Sequence, residues 1–135
     1  AHVQDLALIA LGATREATEI AAGRGVRAAR LKEVKREIEQ NLLSSALSAD
    51  SVASRLGLSA RYVRALFERE GTSFRDYVAS RRLARAYRML SDPALRHLNI
   101  AQIAMEAGFG DLSWFNIRFK QTYGMTPRDV RTSHA

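Results

Sequence analysis

The sequence predicts an all-α fold: two helix-turn-helix subdomains joined by a long connector helix and preceded by N-terminal linker helices. Apolar residues recur at spacings of three and four along nearly the whole chain, and few β-branched runs alternate with period two. Both prolines, Pro93 and Pro127, fall where helices break or begin. The order short helix, glycine turn, second helix, glycine occurs twice, about 52 residues apart.

From the N-terminus, residues 3–11 and 14–22 read as a helical pair, with Gly12 as a stop and Thr14 as an N-cap. Gly23-Arg24-Gly25 then marks a hinge. A helix over residues 28–43 aligns Leu31, Val34, Ile38 and Leu42 on one stripe, which needs a partner surface. Ser48 caps a short helix that Gly57 stops, and Ser59 caps the next, which runs to Glu70 before Gly71. Ser73 and Asp76 resemble a capping box opening the connector, residues 74–90, which Asp92-Pro93 ends. The second unit repeats the pattern. Asn99 and Gln102 open a short helix that Gly108 terminates, Asp111 caps residues 112–123, and Gly124 stops them. Thr126-Pro127 starts a last helical turn. The boundaries expected are 1–26 for a linker or the end of a preceding domain, 27–90 for the first subdomain with its connector, and 91–135 for the second.

With 135 residues there is length for one domain or two very small ones around a real core. Lys and Arg total 21 against 14 Asp and Glu, a net charge of +7 that favours a polyanionic partner. Residues 1–42 carry 7 basic and 6 acidic groups, 43–92 carry 9 and 5, and 93–135 carry 5 and 3, so the excess spreads over both repeated units. A membrane surface would instead call for one helix with a strong basic and apolar division. The absence of cysteine excludes disulfides, a thiol nucleophile and cysteine-ligated zinc, and a reducing cytoplasm suits the composition. His2, His97 and His134 are scattered and no phosphate-cradling glycine loop follows a strand, so neither enzyme, cofactor nor metal site is expected. The chain opens on Ala1 rather than Met, from which a preceding domain is expected.

The second helix of a helix-turn-helix lies in the DNA major groove. Over residues 59–70, at 100° per residue, Val63, Leu66 and Phe67 share one side while Arg61, Arg64, Ala65 and Glu68 cluster on the other. The arginine fork matches guanine O6 and N7. Over residues 112–123, Phe115 and Phe119 point inward with Leu112 beside them, Trp114 lies on the flank, and Ser113, Asn116, Ile117 and Lys120 point outward. Asn reads adenine, Ile suits a thymine methyl, and Lys suits phosphate. Arg81, Arg85 and Arg88 form a solvated stripe on the connector, whose roughly 17 residues span about 25 Å and could set two recognition helices near the 34 Å repeat of B-DNA.

Residues 28–131 resemble the AraC/XylS family of bacterial transcription regulators. The most specific part is IAQIAMEAGFGDLSWFNIRFKQTYGMTPRDVR, through Ile100, Ile103-Ala104, Gly108-Phe109, Asp111, Ser113, Phe115, Phe119-Lys120, Gly124, Thr126-Pro127 and Arg131. The first unit follows through Leu58-Ser59, Tyr62-Val63, Leu66-Phe67, Gly71, Tyr77, Arg82-Leu83, Ala86 and Leu90. The resemblance implies a cytoplasmic regulator on the bacterial nucleoid that binds two adjacent half-boxes of double-stranded DNA. Base readers are expected at Arg61, Arg64, Ala65, Ser113, Trp114, Asn116 and Ile117, and backbone contacts at Ser59, Tyr62, Arg69, Arg118, Lys120 and Arg128. RNA polymerase is a further candidate partner, and a small-molecule effector would act through a preceding domain. One departure matters: the family often has Arg where Ile117 stands, which weakens guanine readout by the second unit. A helical protein-interaction module is the competing reading, because amphipathic helices also serve as partner surfaces.

Overall fold

The structure, a computed structural model, describes residues 23–134, and those residues contain helices and no strand. The expected helices at 3–11 and 14–22, with Gly12 and Thr14, lie outside the described residues. In chain order the helices are α1 (Arg24–Gln40), α2 (Ala49–Leu56), α3 (Ala60–Arg69), α4 (Phe74–Ser91), a 3-10 turn at Pro93–Leu95, α5 (Ile100–Glu106), α6 (Leu112–Tyr123) and α7 (Pro127–Ser133). The helix predicted at residues 28–43 begins and ends earlier: Gly23 precedes α1 at a positive φ of 92°, and Leu42 lies beyond its end. The last helix is longer than one turn, because Thr126 and Asp129 form a complete capping box around Pro127.

Packing divides the chain into two units, with the division falling inside α4 between Tyr77 and Val78. The first unit holds the described residues up to Asn41 together with Ala46–Tyr77. Leu31, Val34 and Ile38 of α1 cover the apolar faces of α2 and α3, burying Val52, Ala53, Val63, Leu66 and Phe67. Phe74 meets Phe67 edge-on at 5.8 Å, and Tyr77 packs against it at 5.2 Å, so one aromatic cluster closes the core.

The second unit holds Leu42–Ser45 and the chain from Val78 onward. Its core gathers Leu83, Ala86 and Leu90 from α4, Ile103 and Ala104 from α5, Phe115 and Phe119 from α6, and Val130 from α7. Phe119 and Phe115 lie 5.6 Å apart, and Tyr87 stacks on Phe119 at 6.3 Å. Arginine side chains clamp two loops onto this unit. Arg82 donates to the carbonyls of Leu42 at 2.8 Å and Ser44 at 3.2 Å, and Arg131 donates to those of Leu98 at 2.6 Å and Leu95 at 3.2 Å. Burial lowers the Arg82 pKa from its ordinary value, yet a guanidinium still stays charged.

The two glycine turns are built alike. After α2, the Leu58 N–H donates to the Ala53 carbonyl at 2.9 Å across Gly57, and after α5 the Phe109 N–H donates to the Ala104 carbonyl at 3.0 Å across Gly108. Both glycines are left-handed or near it, at φ 67° and 100°, and the apolar residue that follows each is buried. Space separates the two positions: a Cβ on Gly57 would meet open space, whereas one on Gly108 would lie 2.9 Å from Arg82 Nε. Gly108→Ala should therefore destabilise by about 1–3 kcal/mol, and Gly57→Ala should fall at or below the low end of that range. Urea unfolding midpoints at unchanged slope check the ordering, and equal losses would remove the proposed clash.

Candidate nucleic-acid interface

In the first unit, Ser48 and Ser51 cap α2 reciprocally at 3.0 Å, and the Tyr62 N–H donates to Ser59 Oγ at 3.1 Å to start α3. With Val63, Leu66 and Phe67 inward, Arg61, Arg64, Glu68 and Arg69 are exposed and Ala65 is half-buried. Arg64 approaches Asp50 of α2 at 3.8 Å, with both side chains largely exposed. Such pairs contribute about 0–1 kcal/mol, so a base or phosphate can displace the carboxylate. Arg55 points elsewhere, to Glu37 Oε1 at 3.1 Å and Asn41 Oδ1 at 3.3 Å. Tyr62 puts its ring in the core at 8% exposure, which leaves it little outward surface. Ser59 is exposed.

In the second unit, Asn99 and Gln102 close a capping box on α5 with both bonds at 2.8 Å, and the Trp114 N–H donates to Asp111 Oδ1 at 3.0 Å to start α6. Ser113, Asn116, Ile117 and Lys120 are exposed together, as their spacing predicts. Leu112 requires a correction. The sequence places it inward beside the phenylalanines, but it is 44% exposed, because as the first residue of α6 it sits at the rim of the buried arc. Trp114 is half-buried, 5.8 Å from Phe109, and Arg118 lies over its ring at 5.6 Å, also half-buried and on the flank away from Asn116. Arg128 is exposed. On the connector, Arg88 is exposed while Arg81 and Arg85 are half-buried, so the expected solvated stripe is solvated only at its end.

The outward face of α6 forms one wall of a groove of about 810 Å³. Leu112, Asn116, Ile117 and Lys120 line that wall, and the starts of α5 and α7, including Arg128, close the rest. This groove has no linear sequence signal, since its walls come from three helices that only the core brings together. Among the described residues no group of three His, Cys, Asp or Glu side chains could hold a metal, and no helix is long and apolar enough to cross a membrane.

Two helix-turn-helix units, each anchoring the inner face of its second helix and exposing a polar and basic outer face, define a protein of the DNA-binding helix-turn-helix class. Comparison with known proteins narrows the class. Residues 52–133 match the family model of a helix-turn-helix domain. The transcriptional activator RhrA of Rhizobium meliloti (strain 1021) is 38% identical over 102 residues, covering 76% of this chain and 32% of its own length. The transcriptional activator NphR of Rhodococcus is 37% identical over 107 residues, covering 78% and 30%. The chain thus spans about a third of the length of these relatives. An AraC-type transcriptional regulator structure from Chromobacterium violaceum is similar with a TM-score of 0.72 and 28% identity, over 83% of this chain and 97% of that one. The C-terminal domain of the response regulator yesN from Fusobacterium nucleatum gives a TM-score of 0.63 at 28% identity, over 73% and 93%. The chain belongs to the AraC-type helix-turn-helix family of DNA-binding transcriptional regulators.

The cap of α7, at the edge of the groove, gives a pH test. Asp129 Oδ2 accepts from the Thr126 N–H at 3.1 Å, and Thr126 Oγ1 accepts from the Asp129 N–H at 3.1 Å. Hydrogen bonding to the carboxylate from the Thr126 backbone N–H, then from the Thr126 side chain, helped by the charge of Lys120, lowers the Asp129 pKa from its ordinary 3.8. A depressed folded pKa contributes stability that is present above the unfolded value and is lost as pH falls through the folded one. Asp129→Asn should therefore flatten the fall in stability below about pH 4 relative to wild type. Identical pH profiles in thermal unfolding would show that the cap carboxylate is not coupled to folding.

Proposed function

We propose that this chain is the sequence-specific, double-stranded DNA-binding part of a bacterial transcriptional regulator that works in the cytoplasm and carries no catalytic role. The observation that carries the reading is the repeated presentation of a core-anchored second helix, with Arg61 and Arg64 outermost on α3 and Ser113, Asn116, Ile117 and Lys120 outermost on α6. In this reading Arg61 and Arg64 take guanine edges, Asn116 takes adenine, and Ser113 and the flank of Trp114 complete the second contact. Lys120, Arg69, Arg128 and Ser59 hold phosphates, with Arg118 at the margin through its stack on Trp114. Ala65 leaves room for the base pair beside the arginines. Tyr62 drops out of this contact set, because burial leaves it little surface.

The relatives are named transcriptional activators, which supports activation of transcription as the biological role, and RNA polymerase is the protein partner that such a role would call on. A small-molecule effector would act through a domain preceding this chain. The competing interaction-module reading gains nothing from the net charge of +7, which counterion release turns into salt-dependent affinity for a polyanion.

Two measurements test the reading. Selection from a random DNA pool should recover an asymmetric site with two preferred patches about one helical turn apart, and one short patch would mean that α6 holds only backbone. In binding titrations, Arg64→Ala should relax preference at one position of the first patch by about 1–3 kcal/mol. Lys120→Ala should weaken all sequences alike and lower the slope of log affinity against log salt by about one. Equal losses on every sequence for Arg64→Ala would end its assignment as a base reader.

A further inference from the structure

Among the described residues, the large apolar side chains left exposed are Leu43, Met105, Leu112 and Ile117, and two of these four stand on α6, Leu112 at the rim of its buried arc and Ile117 on its outward face. We infer that Leu112 and Ile117 read the 5-methyl groups of thymines at two separate base pairs of the second box. The inference rests on the DNA-binding reading above and adds the class of base recognised. Leu112 is the first residue of α6, and recognition helices touch base edges with their N-terminal residues. Ile117 is 57% exposed. At 100° per residue the two side chains stand about 140° apart and bracket Asn116, Lys120 and Ser113. Five residues at about 1.5 Å each separate them by about 7.5 Å along the helix, roughly two base-pair steps of about 3.4 Å.

The chemistry selects the base. Each base edge in the major groove presents hydrogen-bonding atoms, and the thymine methyl is the apolar feature among them. An aliphatic side chain pressed on a cytosine amino group or a guanine oxygen would strip water from polar atoms without replacing the hydrogen bonds. Against a methyl group it buries apolar surface on both partners. The occupant of this face is assigned as DNA rather than an apolar protein surface because Lys120 and Arg128 line the same groove. The second unit thus adds recognition of apolar surface to its hydrogen bonds, where the first recognises acceptor atoms.

The test uses the 135-residue chain and its selected site. Each thymine of the second box is replaced in turn by uracil, which removes one methyl and no hydrogen-bonding atom. Uracil at each of two positions should weaken binding about fourfold. Leu112→Ala should erase the preference for thymine over uracil at one of them, and Ile117→Ala at the other. Both side chains are exposed, so both variants should fold as the wild type, which their unfolding curves check. Equal affinity for thymine and uracil throughout the second box, with first-box preferences intact, overturns the inference and leaves the DNA-binding reading standing. A methyl preference that survives both substitutions also overturns it. Loss of sequence preference in both boxes would overturn the DNA-binding reading itself.

Discussion

The orientation of each outward helix depends on the aromatic and aliphatic face buried behind it. Phe115 and Phe119 are fully buried, and so are Val63 and Phe67. A rotation of α6 by one residue, about 100°, would lift a phenylalanine into water and push a polar neighbour into the core. Exposing a phenylalanine forfeits about 1.5–3 kcal/mol, and burying an amide without partners costs about 1–3 kcal/mol more. The register of Ser113, Asn116 and Lys120 is therefore set by residues that face away from any partner.

Helix ends fix the second coordinate, the angle at which each outward helix leaves its partner. The same six-to-one hydrogen bond crosses Gly57 and Gly108, and in each case the next residue, Leu58 or Phe109, is drawn into the core. The second turn is one residue longer, with Gly110 before the Asp111 cap where Leu58 leads straight to Ser59. In the second unit the turn also carries a steric lock, since Gly108 lies against the Arg82 side chain that holds the carbonyls of Leu42 and Ser44. Caps and clamps together convert a flexible loop into a fixed corner.

Basic residues in this chain do two jobs, and charge alone does not tell them apart. Arg82 and Arg131 satisfy loop carbonyls, and Arg55 satisfies Glu37. All three add to the positive field that attracts a polyanion. Arg61, Arg69, Lys120 and Arg128 are exposed, and Arg64 makes a long contact of 3.8 Å to Asp50. The two outward faces also differ in kind, one dominated by arginine and the other by short polar and aliphatic side chains.

Most of the fold was legible along the chain because helix starts and stops are local events. Ser48, Ser59, Asn99, Asp111 and Thr126 each cap within three residues of their own position, and Gly57, Gly108 and Gly124 each need a positive φ where they stand. The inward set Phe115 and Phe119 and the outward set Asn116, Ile117 and Lys120 were likewise legible, since both follow from the helical period. Burial at the ends of helices was not. Leu112 emerges and Tyr62 is covered because neighbouring elements decide what lies over a first turn, and the period is silent about neighbours. The clamps of Arg82 and Arg131 span 40 and 36 residues at their longest, and the α6 groove takes its walls from three helices. The sequence by itself determined the helices, their caps and the sides they bury, because those depend on contacts within a turn or two. Only the tertiary structure decided which arginines are spent on carbonyls and which apolar residues stay in water, because those depend on contacts between distant segments.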